Sequence, residues 1–427
     1  MNIEQTIMEI RSGNLDKSLG TIYPDFDGRA NAVHDRLTRL LMNYAAAFGD
    51  TERLHIFSAP GRVEVGGNHT DHQQGVVLAA AVDCDVLAAA AENDQDEIVV
   101  FSEGYGEIRV DLNRLTPQSD EFNTTASIIR GTAAKLYEAG YEINGFNAYI
   151  TSEVLSGSGM SSSAAFEVLI GTVMNGLFCQ NKITPVETAK IGKAVENVYF
   201  GKPSGLMDQM ASAVGGFVSI DFRDPEKPLI KKINADLGKL GYQLYVIDSG
   251  ASHADLTHCY AGIPVEMGEV SKLFGEKVLR EVDEETFWER IADVRQFTGD
   301  RAVIRAIHFF AENQRAIDEA EMLEKGDIEG FLKLANDSGR SSYMYLQNVI
   351  VPGSTKDQAM AFALAVTEKA LEGRGAFRVQ GGGFAGTLMA FVPNDAVDHF
   401  LRVIEVALGS GRCIPVRIRP IGCAQIL

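Results

Sequence analysis

The feature of this sequence that most constrains its fold is the stretch EVLSGSGMSSSAAFEVLIGTVMNGLF, residues 153–178. A turn rich in glycine and serine separates a predicted strand, FNAYITSEV, from a helix that is apolar on most of its faces. Such a helix has to be buried rather than laid on a surface. Further strands and helices are predicted along the rest of the chain.

The glycine–serine turn has the composition of a phosphate-binding site. Gly157 and Gly159 allow a tight turn and a close approach of the backbone to a ligand. The run Ser161–Ser163 falls at the helix start, where unpaired N–H groups and the helix dipole favour an anion, and where serine hydroxyls add donors or a magnesium ligand. No Gly-Lys-Ser/Thr follows, so the pattern differs from a Walker motif. The alternative is that these serines only cap the helix.

The length of the chain predicts two domains. At 427 residues it is long for a single hydrophobic core. The polar segment RDPEKPLIKKINADLGKL, which carries two prolines, is the predicted junction. We therefore expect an N-terminal domain over residues 1–230, which begins with a helical extension at 1–47, and a C-terminal domain over residues 231–427.

Charge and cysteine usage narrow the possible partners and the compartment. The net charge of −19 argues against nucleic acid or an anionic membrane as a partner, since both require clustered basic residues. The five cysteines form no C-x-x-C pair and predict reduced thiols. The N-terminus lacks an apolar signal core, and the apolar runs are too short to span a bilayer. We expect a cytoplasmic protein, and the acidic surface favours a monomer.

The stretch GRVEVGGNHTDH, residues 61–72, concentrates polar side chains in a segment that we interpret as a turn. His69 and His72 are three residues apart and suggest a metal-binding pair. The glycines around them argue against a regular helix, and no third ligand follows at a zinc spacing. We therefore interpret the segment as the wall of a ligand pocket.

Two acidic residues stand in apolar surroundings. Asp208 lies in GLMDQMAS, where a carboxylate is salt-bridged, caps a helix or has a function. Glu196 interrupts a predicted helix twelve residues earlier. One acid near a phosphate site can hold magnesium and a second can face a nucleophile. The spacing alone does not decide whether the two converge.

Four of these stretches, taken in order, resemble the motifs of the galactokinases within the GHMP kinases. APGRVEVGGNHTDHQQGVVLAAAV resembles the galactokinase signature, GSGMSSSAA the second GHMP motif, GLMDQMAS the stretch with the catalytic aspartate, and RVQGGGFAGTLMAFV the third, glycine-rich motif. The resemblance runs from about Phe48 to the C-terminus. It implies the two-domain GHMP kinase fold, of class α/β or α+β, with the active site in the cleft between the domains.

The resemblance also implies a reaction and a set of roles. The reaction is transfer of the γ-phosphoryl group of ATP, with magnesium, to the anomeric hydroxyl of a hexose. Arg62 and Asp208 are implied as catalytic residues, and Ser162 and Glu196 as magnesium ligands. The implied ATP-binding residues are Gly157, Ser158, Gly159, Ser161, Ser162 and Ser163. The implied sugar-binding residues are Asn68, His69, Asp71 and Tyr260, with His253 at the separation from Tyr260 that the family shows.

Several positions depart from the usual galactokinase signature G-R-V-N-L-I-G-E-H-T-D-Y. In the signature these are Glu64 for Asn, Gly66 for Ile, Asn68 for Glu and His72 for Tyr; in the third motif they are Gln380 for Thr and Ala385 for Gly. The acid at position 68 contacts the hydroxymethyl end of the sugar in galactokinases, and Asn68 removes its charge.

Asn68 still accommodates a neutral hydroxymethyl group, and it no longer repels a carboxylate as Glu would. The resemblance implies galactose as the substrate, with a galactose derivative such as galacturonate or N-acetylgalactosamine as the alternative. A non-catalytic sugar sensor is the alternative from a different class of protein. The sequence argues against a sensor, because Arg62, the serine run and Asp208 are all present.

Overall fold

Helices and strands follow one another along the whole chain. The structure is a computed structural model that describes residues 2–154, 157, 159–202, 204–251 and 256–427. The strands are β1 (His55–Gly66), β2 (Val76–Glu92), β3 (Glu97–Ser102), β4 (Gly106–Asp111), β5 (Phe146–Ser152), β6 (Phe217–Asp221), β7 (Leu229–Ile233), β8 (Tyr242–Asp248), β9 (Ala376–Val379), β10 (Thr387–Pro393), β11 (Cys413–Val416) and β12 (Ala424–Gln425). The helices are α1 (Ile3–Arg11), α2 (Asp16–Ile22), α3 (Phe26–Phe48), α4 (Thr125–Glu138), α5 (Ser162–Phe178), α6 (Pro185–Val195), α7 (Met207–Val214), α8 (Thr257–Lys272), α9 (Glu284–Glu289), α10 (Ile291–Thr298), α11 (Asp300–Lys325), α12 (Ile328–Ser341), α13 (Ala359–Leu371) and α14 (Val397–Leu408).

The strands form two sheets. In the first the order is β12-β1-β2-β5-β3-β4, and β6 pairs with the start of β2 and carries β7 on its other edge. In the second the order is β11-β8-β10-β9. Strand β12 returns the end of the chain to the first sheet, where Gln425 pairs with Phe57. Within the described ranges, no helix is both long and apolar enough to cross a membrane.

Strand β2 is buried on both faces, which explains its nearly continuous apolar sequence. Because alternate residues of a strand face opposite sides, Ala88 and Ala90 join the core under α4–α7, while Leu87 and Ala89 join a second core under α1–α3. Helices α1–α3 occupy most of residues 1–47, where a helical extension is predicted, and they cover the second face of the first sheet.

A buried acid, Asp85 in β2, fastens this extension to the sheet. Its carboxylate accepts hydrogen bonds from Tyr23 Oη (2.8 Å) and Arg419 Nη1 (2.7 Å), and also from Arg36 and Ser58. Burial alone would raise the pKa of Asp85, but the two arginines hold that pKa below its usual range. One carboxylate therefore joins the extension, β1 and the C-terminal segment.

Two expectations about boundaries need adjustment. The turn predicted for residues 61–72 begins only after β1 ends at Gly66, because Val63 and Val65 are buried in the core and β1 pairs with β2 as far as Gly66. The expected domain boundary after residue 230 falls inside β7, which pairs with β6 of the first sheet. The division into two domains stays a proposal.

Glu319 on α11 is buried without compensation. Neither of its carboxylate oxygens has a hydrogen-bond partner in the described part of the chain. Burial, reinforced by the nearby Glu312, raises the pKa of Glu319 well above its usual value, so the group is neutral. It fills the space beside Gly66, where an added Cβ would lie 1.6 Å from Glu319 Oε2.

Replacing Asp85 by Ala is expected to lower the free energy of unfolding by about 3 to 5 kcal/mol, because the fully buried Arg419 loses its charge partner. Urea unfolding measures this change. The matched control is Glu324→Ala, which removes the exposed partner of Lys231 and should have little effect. Equal, small effects of both substitutions would contradict the role assigned to Asp85.

Replacing Glu319 by Gln is expected to make stability less dependent on pH. An unfolded glutamate ionises at about pH 4.3, whereas the folded protein keeps Glu319 protonated to higher pH. The contribution of Glu319 to stability is therefore fully present below the unfolded pKa and is lost as the pH rises toward the folded pKa. Urea unfolding should show the stability of Glu319→Gln relative to wild type rising as the pH is raised above the unfolded pKa of about 4.3. A difference that stays constant with pH would show that Glu319 is not protonated in the fold.

Candidate active site

Arg62 lies in β1 at a point where the pairing of β1 with β2 is irregular. The register between β1 and β2 shifts between Pro60 and Arg62, and the Arg62 amide donates to Met160 O (2.9 Å). Gly61 permits this close approach, since an added Cβ at position 61 would lie 3.0 Å from the same oxygen. A bulge of this kind redirects a side chain. Here it brings Arg62 to the glycine–serine turn.

Arg62 and Asp208 form a two-pronged ion pair. Arg62 Nε donates to Asp208 Oδ1 (2.6 Å) and Nη2 to Oδ2 (2.7 Å), while Nη1 donates to Gly159 O (2.5 Å). Ser161 Oγ also donates to Asp208 Oδ2 (2.7 Å). Burial would raise the pKa of Asp208, but the charge and hydrogen bonds of Arg62 lower that pKa. The structure thus brings together the two predicted catalytic residues and two residues of the predicted ATP-binding turn.

The two described glycines of the turn have the left-handed backbone that its sequence suggested. Gly157 and Gly159 have φ values of +79° and +71°, and the space around an added Cβ at Gly157 is open. Ser161 immediately precedes α5 and itself has a left-handed φ of +56°. Ser162 is the first residue of α5 and is half-buried, and Ser163 is exposed. Ser158 and His253 lie outside the described residues.

The third glycine-rich motif supports this turn from the other sheet. An added Cβ at Gly159 would lie 1.9 Å from Thr387 Oγ1, at the start of β10. Gln380 Nε2 donates to the same hydroxyl (3.0 Å). Gly159 therefore has a steric reason to be glycine, in addition to its φ.

His69 and Tyr260 meet at Gly382 of the third motif. His69 Nε2 lies 3.1 Å from Gly382 O, and an added Cβ at Gly382 would lie 2.7 Å from Tyr260 Cε1. Since a carbonyl only accepts, Nε2 carries the proton. Burial, then the neighbouring His72, lowers the pKa of His69 to about 4, so its ring is neutral at physiological pH. His69 and Tyr260, predicted from distant stretches, thus both lie against Gly382.

Asp71 approaches the loop that leads to Asp208. An added Cβ at Gly205, three residues before Asp208, would lie 2.6 Å from Asp71 Oδ2. Burial lowers the pKa of Arg62, whereas Asp208 and, to a smaller degree, Glu64 and Asp71 raise it. Asp71 is therefore within electrostatic reach of Arg62. The structure therefore places Asp71 in the same site as the Arg62–Asp208 pair.

Asn68 makes its hydrogen bonds inside the protein. Its side chain is fully buried; Nδ2 donates to Glu64 Oε1 (2.6 Å) and Gly381 O (2.8 Å), and Oδ1 accepts from Asn348 Nδ2 (2.8 Å) and Ser342 Oγ (3.2 Å). All four hydrogen-bonding positions of the amide are used within the protein. The geometry therefore does not support the predicted contact between Asn68 and the sugar.

The turn after β1 is held from below by α11. Glu312 Oε1 accepts from the backbone N–H groups of Gly67 (3.1 Å) and Asn68 (3.2 Å), and His308 Nε2 lies 2.9 Å from Asn68 O. Burial opposes ionisation of Glu312, but its neighbours, first His308 and then Arg315, lower its pKa to about 2. An ionised, buried carboxylate thus fixes the turn that presents His69 and Asp71.

Glu196 belongs to a buried polar cluster next to Asp208. Gln209 Nε2 donates to Glu196 Oε2 and to Glu167 Oε2 (2.9 Å each), and Lys202 Nζ donates to Glu196 Oε1 (3.0 Å). Burial, then Glu196, raises the pKa of Glu167 to about 9, so Glu167 is neutral at physiological pH. Across the part of the chain that is described, no group of three or more His, Cys, Asp or Glu side chains is arranged to hold a metal ion.

Sequence reasoning missed Glu167, Gln209 and Lys202. Glu167 had a visible signal, because it is an acid inside the apolar helix α5. Gln209 directly follows Asp208 and Lys202 precedes it by six residues, but nothing in their spacing indicates a contact with Glu196.

Known proteins share these motifs and this fold. Residues 42–92 match the galactokinase galactose-binding signature, and residues 127–216 match the GHMP kinases N terminal domain. A galactokinase of Enterococcus faecalis is 31% identical, with 86% of this chain and 93% of the relative covered. A galactokinase of Glaesserella parasuis is 30% identical, with 84% of this chain and 90% of the relative covered.

Solved structures agree with the sequence matches. The structure of Lactococcus lactis galactokinase complexed with galactose matches with a TM-score of 0.77 at 25% identity, and covers 91% of this chain and 99% of its own. A mevalonate kinase matches with a TM-score of 0.60 at 17% identity, which shows a common fold alone. The expected GHMP kinase fold is thus confirmed. With matches over most of its length, this chain belongs to the galactokinase family, a family of sugar kinases within the GHMP kinases.

Proposed function

We propose that this protein transfers the γ-phosphoryl group of ATP to the anomeric hydroxyl of galactose, giving galactose 1-phosphate and ADP. The observation that carries the proposal is the Arg62–Asp208 pair, which is bonded to Gly159 and Ser161 of the glycine–serine turn. This arrangement puts a carboxylate and a guanidinium beside backbone suited to phosphate. The galactokinase relatives support galactose as the acceptor.

Asp208 orients the acceptor hydroxyl in this proposal. Its carboxylate is ionised and partly exposed, so it can accept a hydrogen bond from a sugar hydroxyl. Because Arg62 lowers its pKa, Asp208 is a weak proton acceptor before reaction. Phosphoryl transfer through a loose transition state requires little proton removal early on. Asp208 therefore positions the hydroxyl first and receives its proton late.

Arg62 supplies positive charge where the phosphoryl group crosses to the sugar. Its guanidinium is held by Asp208 and by Gly159 O, so it does not need to reorganise during the reaction. Fixed charges of this kind lower the barrier more than mobile ones. His69, Asp71 and Tyr260 are proposed to bind the sugar, and Gly157–Ser163 to bind the ATP phosphates.

Glu196 and Ser162 are proposed to hold a magnesium ion. Lys202 places an ammonium nitrogen 3.0 Å from Glu196 Oε1, so a cation already approaches this carboxylate. Magnesium usually takes one or two protein oxygens and completes its shell with phosphate oxygens and water, which suits one carboxylate and one hydroxyl. Bound there with the nucleotide, the ion would neutralise phosphate charge.

The alternative substrates lose their main support. Galacturonate and other derivatives were suggested because Asn68 removes a negative charge from the sugar pocket. Since the amide of Asn68 is fully occupied within the protein, it offers no particular recognition of a carboxylate. We further infer a cytoplasmic monomer that acts on small molecules rather than on nucleic acid or membranes, in keeping with the net charge of −19.

Replacing Asp208 by Asn is expected to lower kcat by roughly 10²- to 10⁴-fold while ATP still binds, because the variant keeps the shape of the site but loses the charge that orients and deprotonates the hydroxyl. Coupled measurement of ADP release gives kcat, and calorimetric titration gives nucleotide affinity. The control is Asp395→Asn, which removes the charge of an exposed partner of Arg374 and should leave kcat unchanged. Turnover of Asp208→Asn at the wild-type rate would rule out the proposed role.

A panel of sugars tests the proposed reaction itself. ADP release is measured with galactose, glucose, galacturonate and N-acetylgalactosamine, and phosphorus NMR locates the phosphate on the product. We expect galactose to give the highest kcat/KM and the phosphate to be on the anomeric carbon. If ATP binds but no hexose is phosphorylated, the protein is a sensor rather than a kinase.

A further inference from the structure

Lys202 places its ammonium group on the carboxylate assigned to the metal. Its Nζ lies 3.0 Å from Glu196 Oε1. The Lys202 side chain is 58% exposed, whereas that of Glu196 is 4% exposed. The ammonium group therefore meets a buried carboxylate from the solvent side, which is the side from which a ligand would arrive.

The main chain fixes where this lysine begins. Helix α6 continues into a π-helical turn over Glu196–Phe200, and the Glu196 carbonyl accepts from the backbone N–H groups of Gly201 and Lys202. Gly201 adopts the left-handed φ of +84° that this reversal requires. Single π-helical turns are frequent at functional sites. Lys202 is thus anchored beside Glu196 through its backbone, while its long side chain reaches into solvent.

The two cations of the site are held very differently. Arg62 is 9% exposed and bonds Asp208 twice and Gly159 O once, so it is fixed in place. Lys202 reaches Glu196 with one nitrogen on a flexible, mostly exposed stem. Of the two, Lys202 is the cation that can leave its carboxylate without breaking the site.

We propose that Lys202 is an exchangeable counter-ion of Glu196. It neutralises this carboxylate in the free protein, yields it to the divalent cation that arrives with the nucleotide, and then binds a phosphate oxygen of that nucleotide. The inference rests on the proposed function, which assigns Glu196 to the metal. An ammonium group and a dication repel each other at one carboxylate oxygen, and a buried carboxylate left without any cation is strongly unfavourable. One cation therefore has to replace the other.

The exchange couples the metal to the nucleotide. In the absence of nucleotide, the metal ion has to displace Lys202 from Glu196, and the displaced ammonium group gains no new partner. The metal ion therefore binds the free protein weakly. Nucleotide phosphates supply that partner, so metal and nucleotide each raise the affinity of the other, and by the same factor.

The test measures binding of Mn²⁺ to the full-length protein by electron paramagnetic resonance, with and without a non-hydrolysable ATP analogue. The variants are Lys202→Met, Lys202→Arg, Glu196→Gln and the double variant Lys202→Met with Glu196→Gln. The control is Lys190→Met on α6, whose ammonium group contacts Glu226 O instead of the acid cluster. Calorimetry gives the affinity for the analogue, and thermal melts confirm folding.

We expect Lys202→Met to bind Mn²⁺ alone on the order of tenfold more tightly than wild type and to bind the analogue on the order of tenfold more weakly, typical of coupling between two sites. Lys202→Arg keeps the charge and should behave like wild type, as should Lys190→Met. Adding Glu196→Gln to Lys202→Met should abolish the gain in Mn²⁺ affinity.

Unchanged Mn²⁺ affinity in Lys202→Met, or a gain that persists without Glu196, would overturn the inference. So would unchanged affinity for the analogue. The sugar panel separates this inference from the proposed function. A protein that phosphorylates galactose while Lys202→Met binds Mn²⁺ like wild type refutes only the counter-ion role. A protein that phosphorylates no sugar but shows the expected Mn²⁺ shifts refutes only the proposed reaction.

Discussion

The ion pair between Arg62 and Asp208 is the interaction on which the site depends. Both groups are largely withdrawn from water, and either charge alone would be costly to bury. Paired, they connect three elements that are distant in sequence: β1, the turn before α5 and the first turn of α7. One guanidinium thus contacts both Gly159 O, in the backbone proposed to bind phosphate, and the Asp208 carboxylate, proposed to orient the acceptor. Such a fixed arrangement of charges is preorganised for the proposed phosphoryl transfer between two bound substrates.

A second group of buried charges holds the turn after β1 in place. Arg378 donates to Glu64 Oε1 (3.0 Å), and Asn68 Nδ2 donates to the same oxygen. Relative to the usual galactokinase signature, Asn and Glu have exchanged positions, so that one amide and one carboxylate are still present and bonded to each other. Burial raises the pKa of Glu64 to about 7, although Arg378 opposes this. A prediction of sugar specificity from position 68 alone therefore leaves out Glu64, the hydrogen-bond partner of Asn68 four residues earlier.

The four motifs were enough to predict the fold family and the convergence of Arg62, Asp208 and the glycine–serine turn. Both predictions came from the resemblance of these motifs to those of a known family, because from the residues alone an acid in an apolar stretch can be salt-bridged, cap a helix or have a function. Prediction was poorer where a contact depends on the packing of distant segments. Asn68 was expected to face the sugar, but Asn348 and Ser342 reach it from about 280 residues along the chain. Lys202 gave no signal, because an exposed lysine is ordinary in any sequence.

By itself, the sequence determined the local conformations and the chemistry available. It placed glycines where the backbone must turn, apolar residues at the periods of buried strands and helices, and one arginine and a few acids in otherwise apolar stretches. Only the tertiary structure decided which of these charges meet. A buried charge is stable only beside its partner, and that partner is chosen by how two sheets and their helices pack. For this reason Arg62 pairs with Asp208, Asn68 is buried within the protein, and Lys202 lies beside Glu196.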